Sequence, residues 1–293
     1  MVNRILIRTT MKERSIESAI CYLLVLPFII FLFLFLIFPI GFEFIISFFN
    51  EKMEFMGFEY FRRLFVDPAY IESLINTALY VGIGVNVKMF LALLLANTTA
   101  TMDFRGKRLY RTLIMIPWVI PLVPSALNFR WMLDADYGIV NQVLKSIGFS
   151  PLGWLIQPQL AMSSVIFIHI WTNLPFWALI ILSGLQSIPV ELYDAAKVDG
   201  AGSYELFKYI TLPLIKRLYI ICTILSTIWT MGDFTTIWVL TEGGPANATQ
   251  IVATLAYREA FKFGNFGYAA SMFIPVLPVL AILVIVLLRI LKR

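Results

Sequence analysis

Long uncharged stretches separated by short polar ones run along the whole sequence, and the length of the uncharged stretches decides the fold class. A helix needs roughly 20 mostly apolar residues to cross the hydrocarbon of a bilayer. Ser18–Phe42, Thr112–Phe129 and Phe263–Leu288 contain no Asp, Glu, Lys or Arg; Ser146–Val190 contains none either, although it opens on turn formers. Two further spans carry isolated charges, Ile71–Ala96 with Glu72 at its edge and Lys88 within it, and Leu218–Leu240 with Asp233. The pattern predicts an all-α integral membrane protein: six transmembrane helices in one domain, 18–293, after a short N-terminal segment, 1–17.

Composition agrees. The 293 residues are 60% hydrophobic and 14% charged, where soluble domains carry about 25% charged residues. The first span is too long for the apolar region of a secretory signal, and no small-residue cleavage site follows it, so it reads as a retained helix. Cys21 and Cys222 both fall inside spans, where a thiol behaves as a small apolar group and says nothing about redox compartment. Charge then sets orientation, because Lys and Arg resist translocation. With the N-terminus inside, the inner segments hold Arg4, Arg8, Lys12, Arg14, Arg105, Lys107, Arg108, Arg111, Lys197, Lys208, Lys216, Arg217, Arg289, Lys292 and Arg293, against seven Lys or Arg outside. Both termini are expected in the cytoplasm of a multi-pass protein of the cell membrane. The net charge of +5 is on this reading a topology signal, and no nucleic-acid partner is expected.

The connections carry further cues. The external segment from about Asn50 to Tyr70 mixes aromatics and charges, as suits a membrane surface. Asp134–Pro158 and Thr241–Gln250 are external and rich in turn formers. In the third span Pro117, Pro121 and Pro124 free backbone carbonyls and predict a kink in a helix buried in protein.

The polar stretch Glu191–Pro213 falls in the cytoplasm between the fourth and fifth spans. Leu192, Ala195, Ala196 and Val198 give an uneven apolar face and Glu191, Asp194, Lys197 and Asp199 a polar one. Gly200 and Gly202 permit a tight turn, and Ser203 is placed to cap a second helix from Tyr204. The result is a helix-turn-helix knob, which could dock in a groove on another protein or lie flat on the inner leaflet. Its acidic residues favour the groove, since the leaflet is itself negative.

At membrane depth, polar residues usually face a bundle interior or a cavity. His169 and Asn173 lie four apart on one helix face, with Phe176 three further on; Ser226, Trp229, Thr230 and Asp233 form a stripe on the next span. Ring faces cover the C–H patches of a sugar while Asn, Asp, Thr and His serve its hydroxyls. The bland alternatives are a buried hydrogen-bonding histidine, core or belt tryptophans, and an Asp233–Lys88 ion pair.

The run Asp194-Ala195-Ala196, then Gly200, then Ile210, Leu212 and Pro213 resembles the cytoplasmic loop of permease subunits of binding-protein-dependent ABC importers. "VLTEGGP" and "YREAFKFGNFGYAASM" are similar to the maltose-type first permease, and the likeness covers roughly Ile71 to the C-terminus. Asp194 stands where that family usually has Glu. The resemblance implies a type I importer fold with a coupling loop, 185–213, seated in a cleft of an ATPase through Glu191, Asp194, Ala195, Ala196, Asp199 and Gly200. It also implies a second permease subunit, an ATP-binding cassette ATPase dimer, an extracytoplasmic solute-binding protein and a di- or oligosaccharide substrate. By position, its sugar contacts fall at His169, Asn173, Phe176, Trp229, Thr230 and Asp233, with Trp118 and Leu122 on the third span. The chain contains no G-x-x-x-x-G-K-[ST] loop, so ATP hydrolysis belongs to a separate subunit. No catalytic residue, metal or cofactor is expected. The alternatives are a permease for glycerol phosphate or another polyol, a self-sufficient secondary transporter or channel, which would show internal repeats or a charged relay, and an assembly protein without transport.

Overall fold

The computed structural model describes residues 20–101 and 106–292. The N-terminal segment 1–17 and part of the basic turn after the second span lie outside them. Among the described residues the fold is all-helical: α1 (Ile20–Ile46), α2 (Glu59–Leu64), α3 (Pro68–Thr101), α4 (Lys107–Val119), α5 (Leu122–Met132), α6 (Ile139–Ser146), α7 (Pro158–Gln186), α8 (Val190–Val198), α9 (Ser203–Met231), α10 (Phe234–Thr241), α11 (Val252–Tyr257) and α12 (Phe266–Leu291). Helices α1, α3, α7, α9 and α12 are long and apolar enough to cross a membrane, and α4 with α5 makes a sixth span if counted as one.

That sixth span is broken rather than kinked. Helices α4 and α5 meet at 88°, with Ile120 and Pro121 both extended at the corner. A proline at 121 disfavours helical geometry at the residue before it and removes its own N–H from the ladder, so the helix stops there. The fifth span breaks too: the helix ends at Met231, and Gly232 and Asp233 intervene before α10. The uncharged stretch Ser146–Val190 resolves into an external excursion followed by α7, which starts on Pro158 at a position where a missing N–H costs nothing.

The centre of the molecule is the pair α3 and α7, with α4 and α9 packed around it. Val85, Met89, Ala92, Trp177, Ile181 and Ile215 form its inner core. A second core joins Tyr80, Ala126, Val165, Ile168, Ile237 and Leu240 towards the outer side, and a third joins α2, α11 and the start of α12. Helix α1 has no buried residue from Ile20 to Ile46 and meets the rest of the fold through its C-terminal part, against the start of α12.

The loop between α7 and α9 folds into the expected knob with one difference. Helix α8 ends in a Schellman arrangement, in which Ala201 N–H donates to Ala196 O at 2.9 Å and Gly200 N–H to Lys197 O at 3.0 Å, with Gly200 at φ +87°. Ser203 does not cap: the next helix already begins at Ser203, Gly202 occupies the cap position without a side-chain bond, and the helix runs unbroken into the membrane as α9. Tyr193 Oη lies 3.0 Å from Thr211 Oγ1 and ties the knob to that helix.

Gly267, in the first turn of α12, has the closest backbone neighbour of the described glycines. A Cβ there would stand 2.0 Å from Phe49 O and 2.9 Å from Ile46 O, the end of α1. Backbone cannot move aside as a side chain can. Gly267→Ala should therefore cost about 1–3 kcal/mol, seen as a lower thermal midpoint of the detergent-solubilised protein, whereas Gly82→Ala, with nothing within 4 Å of its Cβ, should be neutral. Equal midpoints for the two variants would disprove the contact.

Candidate functional site

Three positions spaced by four on α3, Tyr80, Gly84 and Lys88, fall on one helix face turned toward α7. All three are buried, and Gly84 faces the imidazole opposite, where a Cβ would stand at ordinary contact distance, 3.6 Å, from His169 Cδ2. On α7, His169 is buried between them. Its third partner arrives from the break after α9, where the helix stops at Gly232 and Asp233 turns inward as the N-cap of α10, accepting from Thr236 N–H at 3.2 Å.

The side chains form a continuous chain of bonds. Asp233 Oδ2 accepts from Tyr80 Oη at 2.6 Å and Thr236 Oγ1 at 2.8 Å, and lies 2.8 Å from His169 Nδ1. A carboxylate only accepts, so Nδ1 carries the proton, and Nε2 is then the acceptor for Lys88 Nζ at 2.9 Å. Lys88 also donates to Thr230 Oγ1 at 3.3 Å, and that hydroxyl donates to Ser226 O at 2.7 Å. One positive and one negative charge are thus held on either side of a neutral imidazole. The sequence left open a direct Asp233–Lys88 pair; the two charges are instead joined through His169.

This network floors a cleft of about 290 Å³ lined by Lys88, Leu122, His169, Asn173, Trp229 and Thr230, together with Asp233, Gly232 and Phe234. A second, apolar cleft of about 460 Å³ shares Trp177, Trp229 and Gly232 with it and adds Phe176. Between them stands an aromatic group: Trp118 stacks on Phe176 at 5.3 Å, and Trp229 meets Phe176 edge-on at 5.5 Å and Trp177 at 6.1 Å. Asn173 Nδ2 donates to His169 O at 2.9 Å.

Of the residues singled out from sequence, Leu122, His169, Asn173, Trp229, Thr230 and Asp233 share one cleft, Phe176 lines its neighbour, and Trp118 reaches both only through Phe176. Ser226 is buried beneath, and its Oγ has no partner among the described residues. Lys88, Tyr80, Trp177 and Thr236 were not among the expected site residues. The four-residue spacing of Tyr80, Gly84 and Lys88 was the available signal. At the opposite end of the fold Glu191, Asp194, Ala195, Asp199 and Gly200 are exposed on the knob and Ala196 is half-buried; Asp194 pairs with Lys197 at 3.1 Å on the open surface.

Residues 88–293 match the family described as "binding-protein-dependent transport system inner membrane component". The chain is 34% identical over 282 residues to the sulfoquinovosyl glycerol transport system permease protein of Agrobacterium fabrum, covering 94% of this chain and 91% of that protein. It is 33% identical to the trehalose/maltose transport system permease protein of Thermococcus litoralis, covering 90% and 91%, and 33% identical to a lactose transport system permease protein of Rhizobium radiobacter, covering 86% and 87%. Its fold is similar to a chain of a bacterial ABC transporter that imports the acidic polysaccharide alginate, with TM-score 0.84 over 96% of this chain and 97% of that one at 24% identity. A chain of an inward-facing methionine ABC transporter superposes with TM-score 0.54 over 80% and 97% at 18% identity. The chain belongs to this family of inner membrane transport components and is a multi-pass membrane protein with an ABC importer permease fold.

Because a buried pair broken on one side leaves a charge uncompensated, Lys88→Met and Asp233→Asn should each destabilise the protein by about 3–5 kcal/mol. The double variant restores neutrality and should recover most of the lost folded protein, measured as monodisperse yield and thermal midpoint. Additive losses in the double variant would mean that the two charges are not coupled through His169.

Proposed function

We propose that this member of the family forms half of the translocation pathway for a sugar, a di- or oligosaccharide, in an ATP-driven importer. The observation that carries the reading is a cleft at a helix break in mid-span whose walls are aromatic and whose floor is hydrogen-bonding. Non-helical backbone at membrane depth is tolerated where it lines a cavity, and exposed ring faces beside Asn, Thr and Lys suit the mixed surface of a carbohydrate. The sugar-transport permeases among the relatives support the class. Solute contacts are assigned to Asn173, Trp229, Thr230, Leu122, His169 and Asp233, with Phe176 and Trp118 backing the aromatic wall. Ser226 acts from beneath by packing.

The partners follow from what the chain carries and what it does not. It has no nucleotide-binding loop of the Walker type, so energy comes from an ATPase dimer that receives the knob, 185–213, through Glu191, Asp194, Ala195, Ala196, Asp199 and Gly200. A second permease subunit closes the open side of the cleft, and an external binding protein delivers the solute; a solved complex of the alginate transporter holds such a periplasmic protein bound to an alginate pentasaccharide. The segment 1–17 is assigned to the cytoplasm.

Affinity purification of the tagged chain from its native membranes should recover a second permease and an ATPase, and the reconstituted assembly should take up sugar at the expense of ATP. Recovery of a transport-active homo-oligomer without an ATPase would refute the proposal. Within such an assembly Trp229→Ala should lose about 1 kcal/mol of ring contact, a roughly fivefold drop in uptake at limiting solute, with the complex intact.

Gly200→Leu tests the knob separately. A Cβ at Gly200 meets nothing within 4 Å, so the cost is confined to forcing a side chain into the left-handed region, about 1 kcal/mol or more. Assembly in the membrane should survive while ATP hydrolysis is uncoupled from uptake; normal coupled transport by the variant would remove the knob from the mechanism.

A further inference from the structure

The external excursion between α5 and α7 carries apolar residues on its outer face as well as its inner one. Its helix α6 turns Asn141 into the interior between half-buried Val140 and Leu144, and turns Ile139 and Val143 outward. Asn141 is fully buried and is the hub of the loop: its Nδ2 donates to the carbonyls of Asp134 at 3.2 Å, Ala135 at 3.0 Å and Leu152 at 2.9 Å, and its Oδ1 accepts from Leu152 N–H and Trp154 Nε1–H, each at 3.0 Å. Ile139, Val143 and Ile147, four residues apart and therefore on the face away from Asn141, are 55%, 53% and 63% exposed, and Phe149 and Ile156 continue the patch at 65% each. Five internal bonds hold the loop rigid, so the outward apolar face is a fixed feature of the fold.

The position of this face identifies what covers it. Trp154 O accepts from Ser164 Oγ at 3.0 Å, and Ser164 lies six residues inside α7, which starts at Pro158. At 1.5 Å per residue the base of the hairpin is pinned about 9 Å below the outer end of a membrane-spanning helix. Leu133 and Leu155 pack onto the same outer core as Phe129 and Met162, so both strands of the excursion are anchored in the transmembrane bundle. A hairpin whose base is anchored this far down a spanning helix brings its outer face within reach of the boundary between headgroups and acyl chains. Its composition suits that boundary: an aliphatic stripe, edged by Lys145 and Gln142, with exposed Trp131 and Tyr137 beside it. Protein-docking faces are anchored instead by Trp, Tyr or Arg at their centre, and the centre of this one is Val143.

We propose that α6 is an interfacial helix, lying in the outer leaflet with Ile139, Val143, Ile147 and Phe149 buried among lipid, and that it moors the outer end of α7 and the C-terminal end of α5 to the bilayer surface. Helices of this kind bury their apolar face about 5–10 Å into the interface while lysine stems reach back to the phosphates. The inference does not depend on the solute or on the sugar reading.

The test is a spin-label accessibility scan of single cysteines at Ile139, Gln142, Val143, Lys145 and Ile147. The background carries Cys21→Ser, and Cys222 is left in place because it is buried. The whole transporter is reconstituted in vesicles of phosphatidylethanolamine and phosphatidylglycerol. Labels at 139, 143 and 147 should be reached by oxygen and shielded from an aqueous nickel chelate, at depths of about 5–10 Å below the phosphates, while labels at 142 and 145 show the reverse. Aqueous access at all five positions would overturn the proposal. So would shielding of 139, 143 and 147 from both reagents, which would make the face a protein interface. Should one cysteine prevent assembly, the other two outward positions give the same reading.

Discussion

Lys88 and Asp233 are each too costly to hold ionised at membrane depth alone, and the structure is organised around holding them together. They are not in contact. A neutral imidazole stands between them, donating to one and accepting from the other, so the pair is satisfied only when three separate pieces of chain meet at one point. Helix α3 supplies Lys88 and Tyr80, α7 supplies His169, and the break after α9 supplies Asp233. Gly84 faces the imidazole across the contact of α3 with α7, and α9 stops at Gly232, after which Asp233 turns inward. Interrupting the fifth span opens a wedge beside the network, and that wedge is the cleft. The charges and the cavity are thus two consequences of one arrangement.

The same bonds limit what Asp233 can offer a solute. One of its oxygens is taken by Tyr80, Thr236 and His169 and the other accepts the amide of Thr236, so most of its acceptor capacity is already used. The sequence alone suggested a carboxylate waiting for sugar hydroxyls. In the fold its principal work is internal, and the groups best free to meet a solute are the exposed face of Trp229 and the amide oxygen of Asn173, which accepts no bond among the described residues.

Much of this was legible before the fold was known, because the physics was local. Twenty-residue apolar runs can only be spans, and the Gly-rich turn of the knob follows from the left-handed backbone that Gly200 adopts. Pro121 announced a distortion, but not a corner of 88°, since how far the two halves swing depends on what α7 and α10 present to them. The break at Gly232–Asp233 was hidden, since one charge within an otherwise apolar stretch reads as a helix carrying a polar residue. Tyr80 was hidden for the related reason that a tyrosine in a span reads as interface belt. Only its spacing from Gly84 and Lys88 marks it otherwise. Ser203 misled because the cap residue preference ranks serine above glycine, while the chain placed Gly202 at the cap and began the helix one residue earlier.

The geometry of α9 bears on how the knob would act on the cleft in the coupling role proposed for it. From Ser203 to Met231 it is a single run of 29 residues, about 44 Å at 1.5 Å per residue. Its inner end is hooked to the knob by Tyr193 and Thr211; its outer end carries Trp229 and Thr230 and stops at Gly232. A rigid rod transmits a displacement of one end to the other as translation or tilt, without any contiguous path of side-chain rearrangement. What would move at the far end is Trp229 and the Thr230 hydroxyl that accepts from Lys88, against the rest of the aromatic group and a floor held by α3 and α7. The hinge for that motion would be the step at Gly232, since α10 is held to α5 through Arg130 and Val239 O and to α3 through the carboxylate of Asp233. A push at the knob would therefore strain the Lys88–Thr230 bond before the imidazole bridge, so Trp229 would shift against Phe176 and Trp177 while the charges stay paired.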